Sequence, residues 1–477
     1  MTEPNGLAAA DFDATLSTAL HDRLPGLRSA MDGSVVAAHL PQALGTRAPV
    51  ESCVAGQASY LGDSCLVRYD VQVGGTRSVV TGRVFPDART CEAYLTDRLQ
   101  PLAEEAGNRS AYASFSRAVG TVPALHLALS VFPIDGELPT LVAATDAPRM
   151  LAMFQTLLPR TLDRDVEVTG CDVEAGHYGR AHRCVLRYQL KVTRDGRPAE
   201  PMLVYGKLAA DDRGEPVMRA VDELRARAGT VVAIPRVLDY LPDLRLALFE
   251  ALPGGPRVAQ LLRARLGGVP EQDRRPPSLE TALASCARTL SLLHTSGLDL
   301  GATRSFESDA AALRRSFALV RPVSPGLADR LDGWLEAAEQ RPGAGPAPAV
   351  FAHGDYSYTQ LIFDGNRAGL VDFDTVCMAE PGLDLGHFLA YLDMAGRKAG
   401  VPDQAVVTGL RDHFLASYLQ ASGLADGDEL LDRTFGYETL SLLRLAAHSW
   451  AKLKPKRLLL VLAALDRRAA PSGGGRF

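Results

Sequence analysis

The stretch HGDYSYTQLIFDGNRAGLVDFDTV (residues 353–376) carries four Asp in 24 positions. Asp355 follows the short run VFAHG and Asp372 closes the run AGLV, so each sits at a strand end. IFDGNRAGLVDF itself reads as a hairpin, with Asp364, Gly365 and Asn366 at the turn. A hairpin with one acid at the entrance to a strand and another at the exit of its partner sets two carboxylates at the same end. Phosphoryl transfer asks for that arrangement. One carboxylate orients an attacking hydroxyl and accepts its proton, while another holds Mg2+ against nucleotide phosphates. Gln360, five residues after Asp355, is the candidate to complete such a metal shell. Asp and Gly also crowd turns for conformational reasons alone. The order H-G-D-x4-Q, a turn, then D-x-D separates chemistry from scaffold, with Asp364 left to the turn.

Outward from this stretch, the chain shows an internal repeat. LPQALGTRAPVESCVAGQASYLGDSCLVRYDV from Leu40 matches LPRTLDRDVEVTGCDVEAGHYGRAHRCVLRYQL from Leu158. Cys65 and Cys184, Arg68 and Arg187, and Tyr69 and Tyr188 each stand 119 residues apart. The same offset returns where LHLALSVF from Leu125 meets LRLALFEAL from Leu244. Between these anchors TGRVFPDA (81–88) matches YGKLAADD (205–212), with five extra residues in the second copy's hairpin. A duplicated module of about 100 residues accounts for the constant offset.

In the second copy, CVLRYQLKV (184–192) and MLVYGKL (202–208) read as paired strands around a turn. EPVMRAVDELRARAG follows as an amphipathic helix, then two more strands, VVAIPRVLDYL and LRLALFEAL. Such a module is a small antiparallel sheet with a packed helix. After Gly254-Gly255-Pro256 the pattern turns helical, including SLETALASCARTLSLLHTSGL (278–298) with its Ser N-cap. RPGAGPAPA reads as a linker and PSGGGRF as a frayed tail.

Bulk properties narrow the class. The chain has 477 residues, 47% hydrophobic and 22% charged, which is an ordinary globular composition for two or three domains. A net charge of −5 offers no electrostatic reason to bind nucleic acid. Seven Cys without a C-x-x-C pair read as reduced thiols in a cytoplasm, not as a disulfide framework. No run approaches the ~18 apolar residues of a membrane span, and the acidic amino terminus lacks a secretory signal.

HGDYSYTQ, LVDFD and EPGLDLGHFLAYL together resemble the aminoglycoside phosphotransferase/choline kinase-like family, small-molecule relatives of protein kinases. The loop is nearest to the maltokinase-like branch, which also places Gln at the position of Gln360 and carries an extra amino-terminal domain. LSLLHTSGL (290–298) is similar to that family's helix before the catalytic loop, and the resemblance covers roughly residues 165–465. It implies an α+β, bilobal protein-kinase-like fold, a small antiparallel sheet lobe plus a mainly helical lobe. It also implies Asp355 as catalytic base and Gln360 and Asp372 as metal ligands, with Asp374 assisting. Ser357 stands where maltokinase-like kinases usually have His.

A kinase needs a cation for the α/β-phosphates on a strand ahead of a helix, and a Glu on that helix. Lys207 meets the first demand; Glu223 or Glu215 meets the second, Glu223 lying deeper in the helix. EAGHYGRAHRC (174–184) occupies the place of a phosphate-covering loop, with Arg180, His182 and Arg183 near its glycines. The hinge that meets adenine falls at Phe249, Glu250, Ala251 and Leu252.

The first copy places Arg83 where the second has Lys207, and no HGD or DFD follows it. Arg does not replace Lys at a compact phosphate contact. This copy reads as a degenerate duplicate of the small lobe, for capping, substrate selection or association. The expected organisation is therefore residues 1–150 as the degenerate lobe, 151–254 as the nucleotide-binding lobe and 255–477 as the catalytic lobe. The expected activity is transfer from ATP, with Mg2+, to a hydroxyl of a sugar, aminocyclitol or related small molecule. Two other readings stay open: a Ser/Thr kinase for a natural-product precursor peptide, and a non-catalytic pseudokinase scaffold. No nucleic acid or membrane partner is expected.

Overall fold

The computed structural model describes residues 19–107, 112–162, 165–180, 182–194, 197–212, 214–228, 231–267, 277–340, 348–400, 404–424 and 428–469. The linker at 341–347 and the tail from 470 lie outside them. The chain divides into two compact units. One comprises Met1–Glu215, Leu238–Glu250 and Ala451–Leu453, and the other Pro216–Val237, Ala251–Trp450 and Lys454–Phe477.

The first unit holds two five-stranded antiparallel sheets. The first has β1 (Val50–Tyr60), β2 (Cys65–Val73), β3 (Thr76–Val84), β4 (Val119–Val122) and β5 (Leu127–Val131), in the order β1-β2-β3-β5-β4. The second has β6 (Val166–Arg180), β7 (Arg183–Arg194), β8 (Glu200–Ala209), β9 (Val237–Leu241) and β10 (Leu246–Glu250), in the order β6-β7-β8-β10-β9.

The repeat extends to single residues. Arg83 pairs with Leu66 and Ala128, and Lys207 pairs with Val185 and Ala247, so the two cations occupy the same sheet position. His126 and Arg245 both take a left-handed backbone, φ 47° and 49°, each donating its amide to a Pro three residues back. Gly82 and Gly206 leave room for a close approach: a Cβ at either would meet the ring of Tyr69 or Tyr188 within 2.8 Å.

Each sheet also carries a helix capped by Asp: α1 (Gly33–Leu44) by Asp32 and α2 (Ala147–Thr161) by Asp146. The hydroxyls of Tyr69 and Tyr188 donate to the carbonyls of Ala30 and Ala144, just before these helices, at 2.6 and 2.8 Å. Branched and aromatic residues such as Val168, Leu186, Tyr188, Leu190 and Leu248 fill the second core with Met150 and Phe154 of α2.

Strands β1 and β6 are absent from the sequence reading. Both are edge strands, and β1 alternates poorly, with Glu51, Ser52 and Val54 exposed. An edge strand with few apolar positions carries little periodic signal. The segment EAGHYGRAHRC is therefore largely strand, with Tyr178 paired to Cys184.

The second unit contains α3 (Gly214–Ala228, from Pro216 onward), α4 (Leu279–His294), α5 (Pro381–Ala399) and α6 (Gln404–Ser422). Phe388 of α5 stacks on Phe414 of α6 with centroids 3.9 Å apart. Small strands support the loop of interest: β11 (Ala302–Thr303), β12 (Val350–Ala352), the hairpin β13 (Leu361–Asp364) and β14 (Arg367–Leu370), and β15 (Cys377–Ala379). All seven cysteines are free thiols. No helix among the described residues is long and apolar enough to cross a membrane.

Candidate active site

The stretch at 353–376 folds as expected: β12 runs into His353 and Asp355, and the hairpin β13–β14 follows. Leu361 pairs with Leu370, and Val371 N donates to Gln360 O at 3.0 Å. Gln360 and Asp372 thus flank the open end of the hairpin, while Asp364 faces Arg367 at the turn. Asp355 joins them, because the Gln360 side-chain amide reaches Asp355 Oδ2 at 3.4 Å. Asp372 has φ 70°, an uncommon backbone for a non-glycine residue.

The loop is fastened from behind. Asp384 on α5 is wholly buried and accepts the backbone amides of His353 at 2.7 Å and Gly354 at 2.8 Å. Burial pushes the Asp384 carboxyl up, but His294, its charge and contact at 3.4 Å, and His353 outweigh it, so it lies below its ordinary value. Gly354, at φ 79°, is required: a Cβ there would meet the Thr375 carbonyl oxygen at 2.1 Å. His353 is buried, with Nε2 3.2 Å from the Val371 carbonyl and its ring against Tyr356 and Phe373. It braces the loop.

Asp355 is partly accessible, its side chain 36% exposed. His387 Nε2, on α5, lies 2.9 Å from its Oδ1. Burial raises the Asp355 carboxyl and the charge of Asp372 adds to that, but His387 and His353 more than offset both, leaving it below its usual range. In the sequence His387 reads as a core or cleft-wall residue of an apolar helix, and it is indeed buried. Its proximity to Asp355 depends on helix phase and packing, which the local pattern does not encode.

Ser357 is also buried, and its hydroxyl bonds to Gln360 Oε1, as does the Thr359 hydroxyl at 3.0 Å. Two hydroxyls thus hold the amide. No group of three or more His, Cys, Asp or Glu among the described residues is arranged to hold a metal ion.

The remaining sequence candidates are spread over both units. Lys207 is half-buried on β8 and Glu250 ends β10, paired with Val204, in the first unit. Glu223 lies on α3 and Leu252 follows the second sheet, in the second unit. The side chain of Arg180 lies outside the described residues. Leu252 lines a cavity of about 390 Å3 with Ala233, Ile234, Pro253 and Gly369. This cavity also touches Asp364 and Arg367, so it sits at the turn end of the hairpin, away from Gln360 and Asp372.

Asp355, the Gln360 amide and Asp372 thus gather at the open end of one hairpin. Residues 188–440 match the phosphotransferase enzyme family, more than half of the chain, and the protein belongs to that family. It is an enzyme, a phosphotransferase, and its architecture is α+β, with antiparallel sheets and many helices. No curated protein matches it in sequence. Among solved structures it is similar to the GDP complex of aminoglycoside 2'-phosphotransferase-IIIa, 14% identical with a TM-score of 0.42, over 66% of this chain and 97% of that one. It is similar to a glucosamine kinase, 15% identical with a TM-score of 0.40, over 67% of this chain and 100% of the other. A choline kinase from Cryptosporidium parvum is 10% identical with a TM-score of 0.43, over 67% and 96%.

Proposed function

We propose that this enzyme moves the γ-phosphate of ATP to a hydroxyl of a small molecule, a sugar, aminocyclitol or related metabolite, in the cytoplasm. The observation that carries the reading is the grouping of Asp355, Gln360 and Asp372 at one end of a hairpin whose loop Asp384 fastens from behind. Asp355 is exposed enough to meet an acceptor and ionised at neutral pH, as a base must be. It orients the hydroxyl and takes its proton.

Gln360 and Asp372 offer an amide and a carboxylate oxygen, with Asp374 two residues on. Hard oxygens in that number suit Mg2+, which keeps waters and phosphate oxygens for the rest of its shell. Bound there, the ion would neutralise charge on the phosphates. Ser357 and Thr359 hold the Gln360 amide in either orientation, since a hydroxyl both donates and accepts.

In the nucleotide-binding lobe, Lys207 would meet the α/β-phosphates, with Glu223 as the acid expected to steady it. Arg180 would be a phosphate contact, and Glu250 and Leu252 would belong to the hinge that meets the adenine. The three-lobe division at residues 150 and 254 belongs to the same reading.

Asp355→Asn keeps the shape of the side chain and removes the base. Transfer to a responsive acceptor from a sugar and aminocyclitol panel should fall by about 10²–10⁴-fold, with ATP binding by calorimetry retained. Full activity in that variant would remove Asp355 from the role, and turnover with peptide acceptors alone would replace the small-molecule reading.

A further inference from the structure

The two repeats meet in a buried polar joint, and the joint falls on the strand that leads into the phosphate-covering hairpin. Tyr178 near the end of β6 donates its hydroxyl to Asp135 Oδ2 at 2.6 Å, and lies 3.1 Å from the Thr81 hydroxyl. Thr81 is on β3 of the first sheet, and Asp135 follows β5 of that sheet. All three side chains are buried. Phe132 meets the Tyr178 ring edge-on at 5.3 Å, and the Arg68 guanidinium lies 5.1 Å from its centroid.

Asp135 is held in turn. Its other oxygen accepts the amides of Glu137 at 2.8 Å and Leu138 at 3.3 Å. A buried carboxylate is costly without such partners, and burial does push this carboxyl up. Glu137 is paired by Arg83, the residue at the Lys207 position. Arg83 also donates to Ser64 at 3.0 Å and lies over Phe85 and Tyr94. The cation at the Lys207 position is thus engaged in the first copy by the segment that receives Tyr178.

The first copy shows what the joint replaces. Tyr60 and Tyr178 are equivalent, paired with Cys65 and Cys184 respectively. Tyr60 donates to Gly62 O of its own turn at 2.6 Å, whereas Tyr178 donates to the other repeat.

We propose that the degenerate amino-terminal module is a fixed brace for the nucleotide lobe, with Asp135 and Thr81 as positioning residues that hold Tyr178 and through it the phosphate-covering hairpin. The inference rests on the nucleotide reading of that hairpin. It extends that reading by giving the duplicate a function in nucleotide affinity rather than in acceptor choice.

The test uses the full chain and Tyr178→Phe, with Tyr60→Phe as the matched control that loses the equivalent hydroxyl. Calorimetry with ATP and Mg2+ gives the affinity, and thermal unfolding gives stability. Tyr178→Phe should weaken ATP binding roughly three- to tenfold, the scale of one lost hydrogen bond, while Tyr60→Phe leaves it unchanged. Thr81→Val, which keeps the shape, should weaken ATP binding in the same direction and serves if Tyr178→Phe does not fold. Equal loss of melting temperature in both Tyr variants with unchanged ATP affinity would overturn the brace. Absence of ATP binding by the unmodified chain would instead overturn the nucleotide reading beneath it.

Discussion

His387 Nε2 lies 2.9 Å from Asp355 Oδ1, with the His387 side chain 3% exposed and the carboxylate open to solvent. The imidazole arrives from α5, which also carries Asp384, so one helix both fastens the loop and lowers the Asp355 carboxyl.

The sign of the resulting pH dependence follows directly. His387 holds the Asp355 carboxyl below its ordinary value, against burial and Asp372. The acid limb of kcat/KM should therefore lie below about 3.9, the usual Asp value. In His387→Leu the burial remains and the larger part of the compensation goes, leaving only His353, so that limb should move upward, with kcat near neutrality reduced less than in Asp355→Asn. An unmoved limb in a pH–rate profile would show that His387 does not govern Asp355.

If Gln360 holds the metal as proposed, a change at Ser357 should tell on the metal rather than on the acceptor. Its buried hydroxyl bonds to Gln360, so the position where maltokinase-like kinases carry His does not present a side chain to solvent here. Ser357→Ala frees one side of the amide. The Mg2+ concentration for half-maximal activity should rise several-fold, in line with one hydrogen bond of about 0.5–1.5 kcal/mol. The ranking of acceptors should stay as it is. A changed ranking with unchanged Mg2+ titration would contradict this.

Asp384 ties pH to stability. Its folded-state carboxyl is held below its ordinary value, so its contribution is present above about pH 4 and is lost as pH falls through the lowered value. Asp384→Ala leaves the amides of His353 and Gly354 without their acceptor inside the protein, at a cost of about 2–5 kcal/mol. Denaturant unfolding at pH 7 should show that loss, and it should shrink on acidification below pH 4.

Much of the candidate site was legible in the sequence because it is local. Asp355, Gln360 and Asp372 lie within one loop and hairpin, and the turn at Gly365 and Asn366 sets Gln360 across from Val371, next to Asp372, through backbone register. The repeat was legible for a similar reason: an offset of 119 preserves side-chain identity, and the structure returns matching pairings around Arg83 and Lys207. Edge strands β1 and β6 were not legible, since solvent on one side relaxes the alternation that marks a strand. His387, Ser357 and Asp135 escaped notice as partners because nothing near them in the chain distinguishes a buried polar group with a function from a surface one.

The sequence by itself determined the family, the order of chemical groups and the duplication, all of which reside in spacing along the chain. Only the tertiary structure decided which groups touch. Asp384 receives amides 30 and 31 residues away, and Tyr178 finds Asp135 across 43 residues. Those contacts depend on helix phase, strand register and the close fit of packed elements. None of these is a property of any one segment. They arise when distant segments bury polar groups that must then be satisfied by whatever lies opposite.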